Sequence, residues 1–211
     1  MDEDLLRASL HGVDDEAERL AIAAGTIAAA CADAEVRSLV ISGGAAVAIY
    51  TGFDFATRDI DVVTDDGESM DGPLRGLGFT RKDHRQIWEH ATLGLVVQVA
   101  DSRLPRHSDT TSVHTAAGEV LLWSATDLIV DRLANAVAWK QRDRVAQALA
   151  LRFAGGLDEI RGRQRAKDDG VEEAFDAFLA LAVTVDDSDE EGAALALSDF
   201  WRRLDPDADA D

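Results

Sequence analysis

Apolar positions follow two rhythms along this chain. Up to about residue 122 most of them come in short runs bounded by turn residues, which is the pattern of strands. Beyond that they recur every three or four residues, which is the pattern of helices. Residues 1 to 13 are polar and predict a loose or weakly helical start. Asp14-Asp15-Glu16 then puts acids where a helix begins, and Leu20, Ala23, Ala24, Ile27 and Cys31 form an apolar stripe. A helix to about Ala32 that packs on a sheet is expected. Leu39-Val40-Ile41 reads as a strand, Ser42-Gly43-Gly44 as a turn, Ala45 to Tyr50 as a short helix, and Asp59-Ile60-Asp61-Val62-Val63 as a second strand. Thr64 to Gly67 is a turn. Glu68 to Leu77 reads as a short helix or loop with a break at Pro73. Extended segments follow from Gly78-Phe79, over Gln86 to His90 and over Leu93 to Ala100. The last of these is nearly all apolar, which places it centrally in a sheet. A loop, a short strand from Ser112 to Thr115, and Val120-Leu121-Leu122-Trp123 close this part.

Ser124-Ala125-Thr126-Asp127 resembles a capping box and opens the helical half. Leu128, Ile129, Leu133, Ala136 and Val137 share one face of the first helix; Asp127, Asp131, Arg132 and Asn135 share the other. Further helices are expected from Arg144 to Phe153, stopped by Gly155-Gly156, from Leu157 to about Lys167, from Val171 to Val183 and from Ala193 to Leu204. Asp186 to Glu191 is a solvated break, and residues 205 to 211 form an acidic, frayed tail. The pattern predicts an α/β (α+β) protein: a mixed sheet flanked by helices over residues 1–122, a helical bundle over 123–204, and the tail.

Charge narrows the possible partners. Formal net charge is −20 with a pI near 4.4, Asp greatly outnumbers Glu, and the only lysines are Lys82, Lys140 and Lys167. This surface resembles that of haloarchaeal proteins, in which concentrated salt screens the self-repulsion that opposes compaction. An acidic protein of ordinary cytoplasm is the alternative. Such a charge argues against binding duplex DNA, which calls for a basic face; it leaves RNA at high salt open. The single cysteine, Cys31, reads as a small buried residue. The absence of a long apolar run or a signal-peptide pattern predicts a cytoplasmic protein with no membrane contact. The spacings of His84, His90, His107 and His114 match no zinc signature.

The chemistry concentrates between Val36 and Thr64. Side chains alternate along a strand, so Asp59 and Asp61 share one face while Ile60 and Val62 point into the core. Two carboxylates so close repel unless a cation lies between them, and Mg²⁺ takes one or two carboxylates together with substrate phosphates. Gly43 and Gly44 have no Cβ, which lets a ligand approach the backbone. They also open a helix, whose first N–H groups favour anions. A plain turn and a solvated acidic strand remain the alternative for either feature taken alone.

An apolar strand, Gly-Gly, a short helix and Asp-apolar-Asp-apolar together resemble the nucleotidyltransferase superfamily with the polymerase-beta-like fold. Gly43-Gly44-Ala45-Ala46, Tyr50-x-Gly52 and Thr57-Arg58-Asp59-Ile60-Asp61 are most similar to AbiEii-type and related minimal nucleotidyltransferases. The resemblance spans roughly residues 36 to 150 and is strongest over 40 to 63. It implies that Gly43 and Gly44, with Ser42, hold a triphosphate. It also implies that Asp59 and Asp61 bind catalytic Mg²⁺ or Mn²⁺, and that Arg132, Lys140 and Arg142 contact nucleotide phosphates or the acceptor. The implied reaction moves a nucleoside monophosphate from an NTP to a hydroxyl of RNA, a protein or a small molecule. AbiEii-like proteins act as toxins, so the resemblance also implies an antitoxin partner. For Arg132 and Lys140 the alternative is pairing with acids on the helix surface.

The chain departs from the family pattern at the third carboxylate. The matching position, between Val97 and Val99, is Gln98, an amide that brings no charge to a metal. Asp101 has the opposite parity on a regular strand and serves as a metal ligand only if the strand ends or bulges there. A single-metal enzyme and a catalytically degenerate binding or regulatory module both follow from this departure. A nuclease or phosphatase using the same acid pair is a third, weaker reading. An acid, Asp101 or Glu89, within a few ångströms of the pair favours the enzyme; Gln98 alone favours the module.

Overall fold

The computed structural model describes residues 3–36, 38–52, 57–82, 85–186 and 190–204. His84, most of the acidic break after Asp186 and the acidic tail lie outside the described residues. The chain divides into two compact units, Met1–Ser124 and Ala125–Asp211. The class is mixed α/β with a run of helices at the C-terminal end, as the two rhythms predict.

The first unit begins with two helices, α1 (Glu3–Ser9) and α2 (Glu16–Asp33). The polar start is thus helical, anchored through the buried Leu6 and Leu10. Asp15 caps α2, its carboxylate accepting from the Glu18 backbone N–H at 2.7 Å. The stripe Leu20, Ala23, Ala24, Ile27 and Cys31 is fully covered and faces the sheet. Then come β1 (Val40–Ser42), α3 (Gly43–Thr51) and β2 (Asp59–Val63). A single 3-10 turn, Gly67–Met70, leads into α4 (Asp71–Gly76). Pro73 does not break this helix. It sits in the first turn, where its missing N–H has no intrahelical partner to lose.

Strands β3 (Thr80–Arg81), β4 (Ile87–His90), β5 (Leu95–Asp101), β6 (Thr110–Thr115) and β7 (Gly118–Trp123) complete a seven-stranded sheet. Its order is β3-β4-β5-β2-β1-β7-β6. β1 runs antiparallel to β2 and parallel to β7, and β2 runs parallel to β5; the remaining pairs are antiparallel. β5 is interior, as its apolar run predicts. Only its first half is buried, however, and Gln98, Ala100 and Asp101 are exposed. The central β5-β2-β1 trio therefore carries the acid pair in the middle of the sheet.

The second unit contains α5 (Ala125–Trp139), α6 (Arg142–Phe153), α7 (Glu159–Asp168), α8 (Glu172–Asp186) and α9 (Glu190–Leu204). The charged stripe of α5 is not a solvated face. Asp127 and Arg132 are buried, because α6 and α7 pack around that side of α5. Asp127 is the centre of an ionic cluster: it accepts from Arg161 at 3.1 Å and Arg165 at 3.2 Å, and Arg165 also grips Asp169 at 2.8 Å. No helix of the described residues is long and apolar enough to cross a membrane.

Candidate functional site

Ser42 ends β1 and stands directly opposite Asp61 on β2. Its hydroxyl donates to the Asp61 carbonyl at 3.4 Å. The chain turns into α3 at Gly43, whose φ is +65°, in the left-handed region. A Cβ added there would lie 2.0 Å from Asp61 Oδ2 and 2.8 Å from its Cγ. The Asp61 carboxylate thus occupies the space over the Gly43 backbone. At Gly44 the added carbon would meet Thr57, 3.1 Å from its Oγ1. The two glycines therefore seat the chain's own residues, where the sequence suggested room for a ligand. The anion-favouring start of α3 and the Asp61 carboxylate lie against each other.

On β2, Ile60 and Val62 are fully buried, Asp61 is half-buried and Asp59 is exposed. The pair shares one face, with the two residues about 7 Å apart along the strand. Thr57 holds the entry to the strand: its hydroxyl contacts the Asp59 carbonyl and the Asp59 N–H, each at 3.4 Å. Thr57 lies in the Thr57-Arg58-Asp59-Ile60-Asp61 motif, where the sequence alone shows no role for it. Its packing on Gly44 is the missing signal, and only the fold displays it.

The neighbouring strand supplies Gln98, in register with Asp61. On its other side Gln98 pairs with Ile87 of β4, so that strand brings no second acid to the row of Asp61. Asp101 is the more informative case. The pairing of β2 with β5 shifts between Val62 and Val63, so that Val62 faces Val99 while Val63 faces Asp101. The extra residue, Ala100, forms a bulge that returns Asp101 to the side of Asp59 and Asp61. Its carboxylate is nonetheless held by the turn beyond β5, accepting from Ser102 N–H at 2.6 Å and Arg103 N–H at 3.2 Å. Among the described residues no three His, Cys, Asp or Glu side chains come together as a metal-holding group. Asp101 is thus not gathered with the pair in this arrangement. Glu89 is two strands from Asp59, in the same row, and forms an ion pair with Lys82 at 2.7 Å. Gln98 is thus the residue that adjoins Asp61 on the neighbouring strand.

The three basic residues implied by the resemblance, Arg132, Lys140 and Arg142, belong to the second unit. Arg132 is buried, with Nε 3.0 Å from Asp131 and Nη1 3.3 Å from Gln147 Oε1. Its guanidinium serves the packing of α5 on α6. Lys140 is exposed, at the corner between these two helices. Of the histidines, His90 is buried, with its ring edge-on to Phe79 at 5.2 Å, which is a core position.

Two carboxylates on one strand face and a hydroxyl at the end of the adjoining strand are hard oxygen donors, while the helix start beside them offers N–H groups to anions. That set fits one Mg²⁺ carrying phosphate oxygens, since this ion keeps several ligands from water or substrate. Compared with family models, curated proteins and solved structures, the chain matches none.

Proposed function

We propose that this protein is a nucleotidyltransferase-type protein that binds a nucleoside triphosphate together with one Mg²⁺ on the exposed face of β2. Asp59 and Asp61 would hold the ion, and the phosphates would reach it from the solvent side of β2. When bound, the ion neutralises phosphate charge and aligns the triphosphate. The observation that carries this reading is the seating of Asp61 over Gly43, which fixes that carboxylate beside the helix start, two residues from Asp59 on the same strand face.

Two outcomes follow from one such site. The first is transfer of a nucleoside monophosphate to a hydroxyl of RNA, a protein or a small molecule, in a toxin–antitoxin setting. The second is nucleotide binding without turnover, as a regulatory module. Gln98 in register with Asp61 and the turn-bound Asp101 favour the second. Two acids without a third are a ligand set for one ion, and the nucleotidyltransferase pattern asks for three.

The test follows label from α-³²P NTPs of all four bases, in multimolar KCl with Mg²⁺, with total RNA and protein as acceptors. Wild type, Asp59→Ala with Asp61→Ala, and Gln98→Asp are compared. The module reading expects bound nucleotide and no transferred label in wild type. It further expects Gln98→Asp to tighten Mg²⁺-dependent binding by roughly tenfold, about 1.4 kcal/mol for an added ligand charge. Base-selective labelling by wild type that the double variant loses establishes the transferase instead.

A further inference from the structure

The most basic stretch of the chain lies in the second unit, outside the acid-pair site. From Arg132 to Leu157 five cations, Arg132, Lys140, Arg142, Arg144 and Arg152, stand against one acid, Asp143, in a protein of net charge −20. Arg132 is buried and engaged by Asp131 and Gln147. Lys140, Arg142 and Arg144 gather where α5 turns into α6. Beside them Trp139, the last residue of α5, is 72% exposed. An indole left in water forgoes a large burial gain, because aromatic rings bury on the order of 150–250 Å² when packed.

The corner is fixed in shape. Gln141 N–H donates to the Ala136 carbonyl at 3.2 Å, closing the end of α5. Lys140 holds the left-handed position of that closure at φ +52°, where glycine is the ordinary residue. Arg144 Nε donates to Gln141 Oε1 at 2.9 Å, and the Arg142 guanidinium lies 6.0 Å from the centre of the Trp201 ring. Three cations and an exposed ring thus lie within six consecutive residues on a set backbone, with Arg144 also 3.8 Å from Asp143.

We propose that the α5–α6 corner is a binding site for single-stranded nucleic acid, with a base stacked on Trp139 and adjacent phosphates met by Lys140, Arg142 and Arg144. Aromatic stacking with basic side chains along the backbone is how sequence-tolerant single-strand sites work. The occupant is a single strand because a duplex hides its base faces, and because the net charge of the whole chain opposes a long array of phosphates. Stacking also survives the salt that weakens phosphate contacts. The site stands independently of the reading of Asp59 and Asp61.

The experiment measures polarisation of short labelled single strands, RNA and DNA, and of the duplexes made from them, against the full-length chain in low and in multimolar KCl. Single strands are expected to bind at least tenfold tighter than duplexes, and Trp139→Ala to weaken them by roughly ten- to a hundredfold, with Trp139→Phe keeping most of the affinity. RNA and DNA arms tell which sugar is preferred. Lys140→Gly separates binding from folding. Glycine suits the left-handed backbone, so this variant is expected to melt no earlier than wild type and yet to bind more weakly. Three results each overturn the proposal: equal affinity for single strand and duplex, Trp139→Ala within about twofold of wild type, or no binding at protein concentrations on the order of 100 μM, the weak end of non-specific association. Displacement of the strand by a poly-glutamate peptide as effectively as by unlabelled strand also overturns it, in favour of an acidic protein segment.

Discussion

At Gly43 one missing carbon serves both backbone and chemistry. Its φ of +65° excludes most side chains, and the Asp61 carboxylate fills the space a Cβ would take. Gly43→Ala is expected to cost about 2–4 kcal/mol from left-handed strain and overpacking, and to abolish Mg²⁺-dependent nucleotide binding by displacing Asp61. Denaturant unfolding and nucleotide titration check the two halves. Cys31 behaves differently. Burial in α2 pushes its thiol from near 9.0 up to about 12. Between these values the unfolded chain has lost a proton that the native chain keeps, so stability falls as pH rises through that window. Thiol labelling at pH near 8 is expected to proceed only at the rate of unfolding, which a comparison with unfolding kinetics checks. The sequence showed that Asp59 and Asp61 share a face, because alternation is local. It did not show that Asp61 rests on Gly43, nor that Asp101 regains their side, because packing and bulges depend on which strands pair.

Among the elements, α5 departs most from what its own sequence suggests. Its pattern of apolar and charged stripes reads as a surface helix, yet Asp127 and Arg132 are buried. The residues that satisfy Asp127 are Arg161 and Arg165, 34 and 38 positions further on. No window along one helix contains them, so the charged stripe looked solvent-facing. Removing the carboxylate leaves the buried Arg165 guanidinium with Asp169 as its one remaining acid among the ion pairs described above, and takes from Arg161 its buried acceptor. Asp127→Ala is expected to destabilise the second unit by about 3–5 kcal/mol. Replacing Asp127 and Arg165 together by apolar residues is expected to cost less than Asp127→Ala alone, since no unpaired charge then remains at that pair. Thermal or urea unfolding of both variants measures the difference. The strands were easier to read: β1, β2, β4, β5 and β7 appear as short apolar runs, and their existence does not depend on distant partners.

For the whole molecule, the −20 charge sets a self-repulsion that folding must overcome. Self-repulsion of this size opposes compaction until salt shortens its range, to about 3 Å at molar ionic strength. The melting temperature is expected to rise steadily from dilute buffer into multimolar KCl, and a flat or falling curve would set aside the high-salt reading. The α/β class and the helical C-terminal part were legible because they rest on repeated patterns. The function of the acid pair rests on two strands and a helix start, and one measurement addresses it most directly. Equilibrium binding of labelled NTPs is compared with and without Mg²⁺, in high KCl, for wild type and for Asp59→Asn with Asp61→Asn, a pair that keeps shape and removes charge. Magnesium-dependent binding that the double variant loses is the predicted result. Binding that ignores both magnesium and the substitutions, or no binding of any nucleotide by a folded wild-type chain, would contradict a nucleotide site at β2.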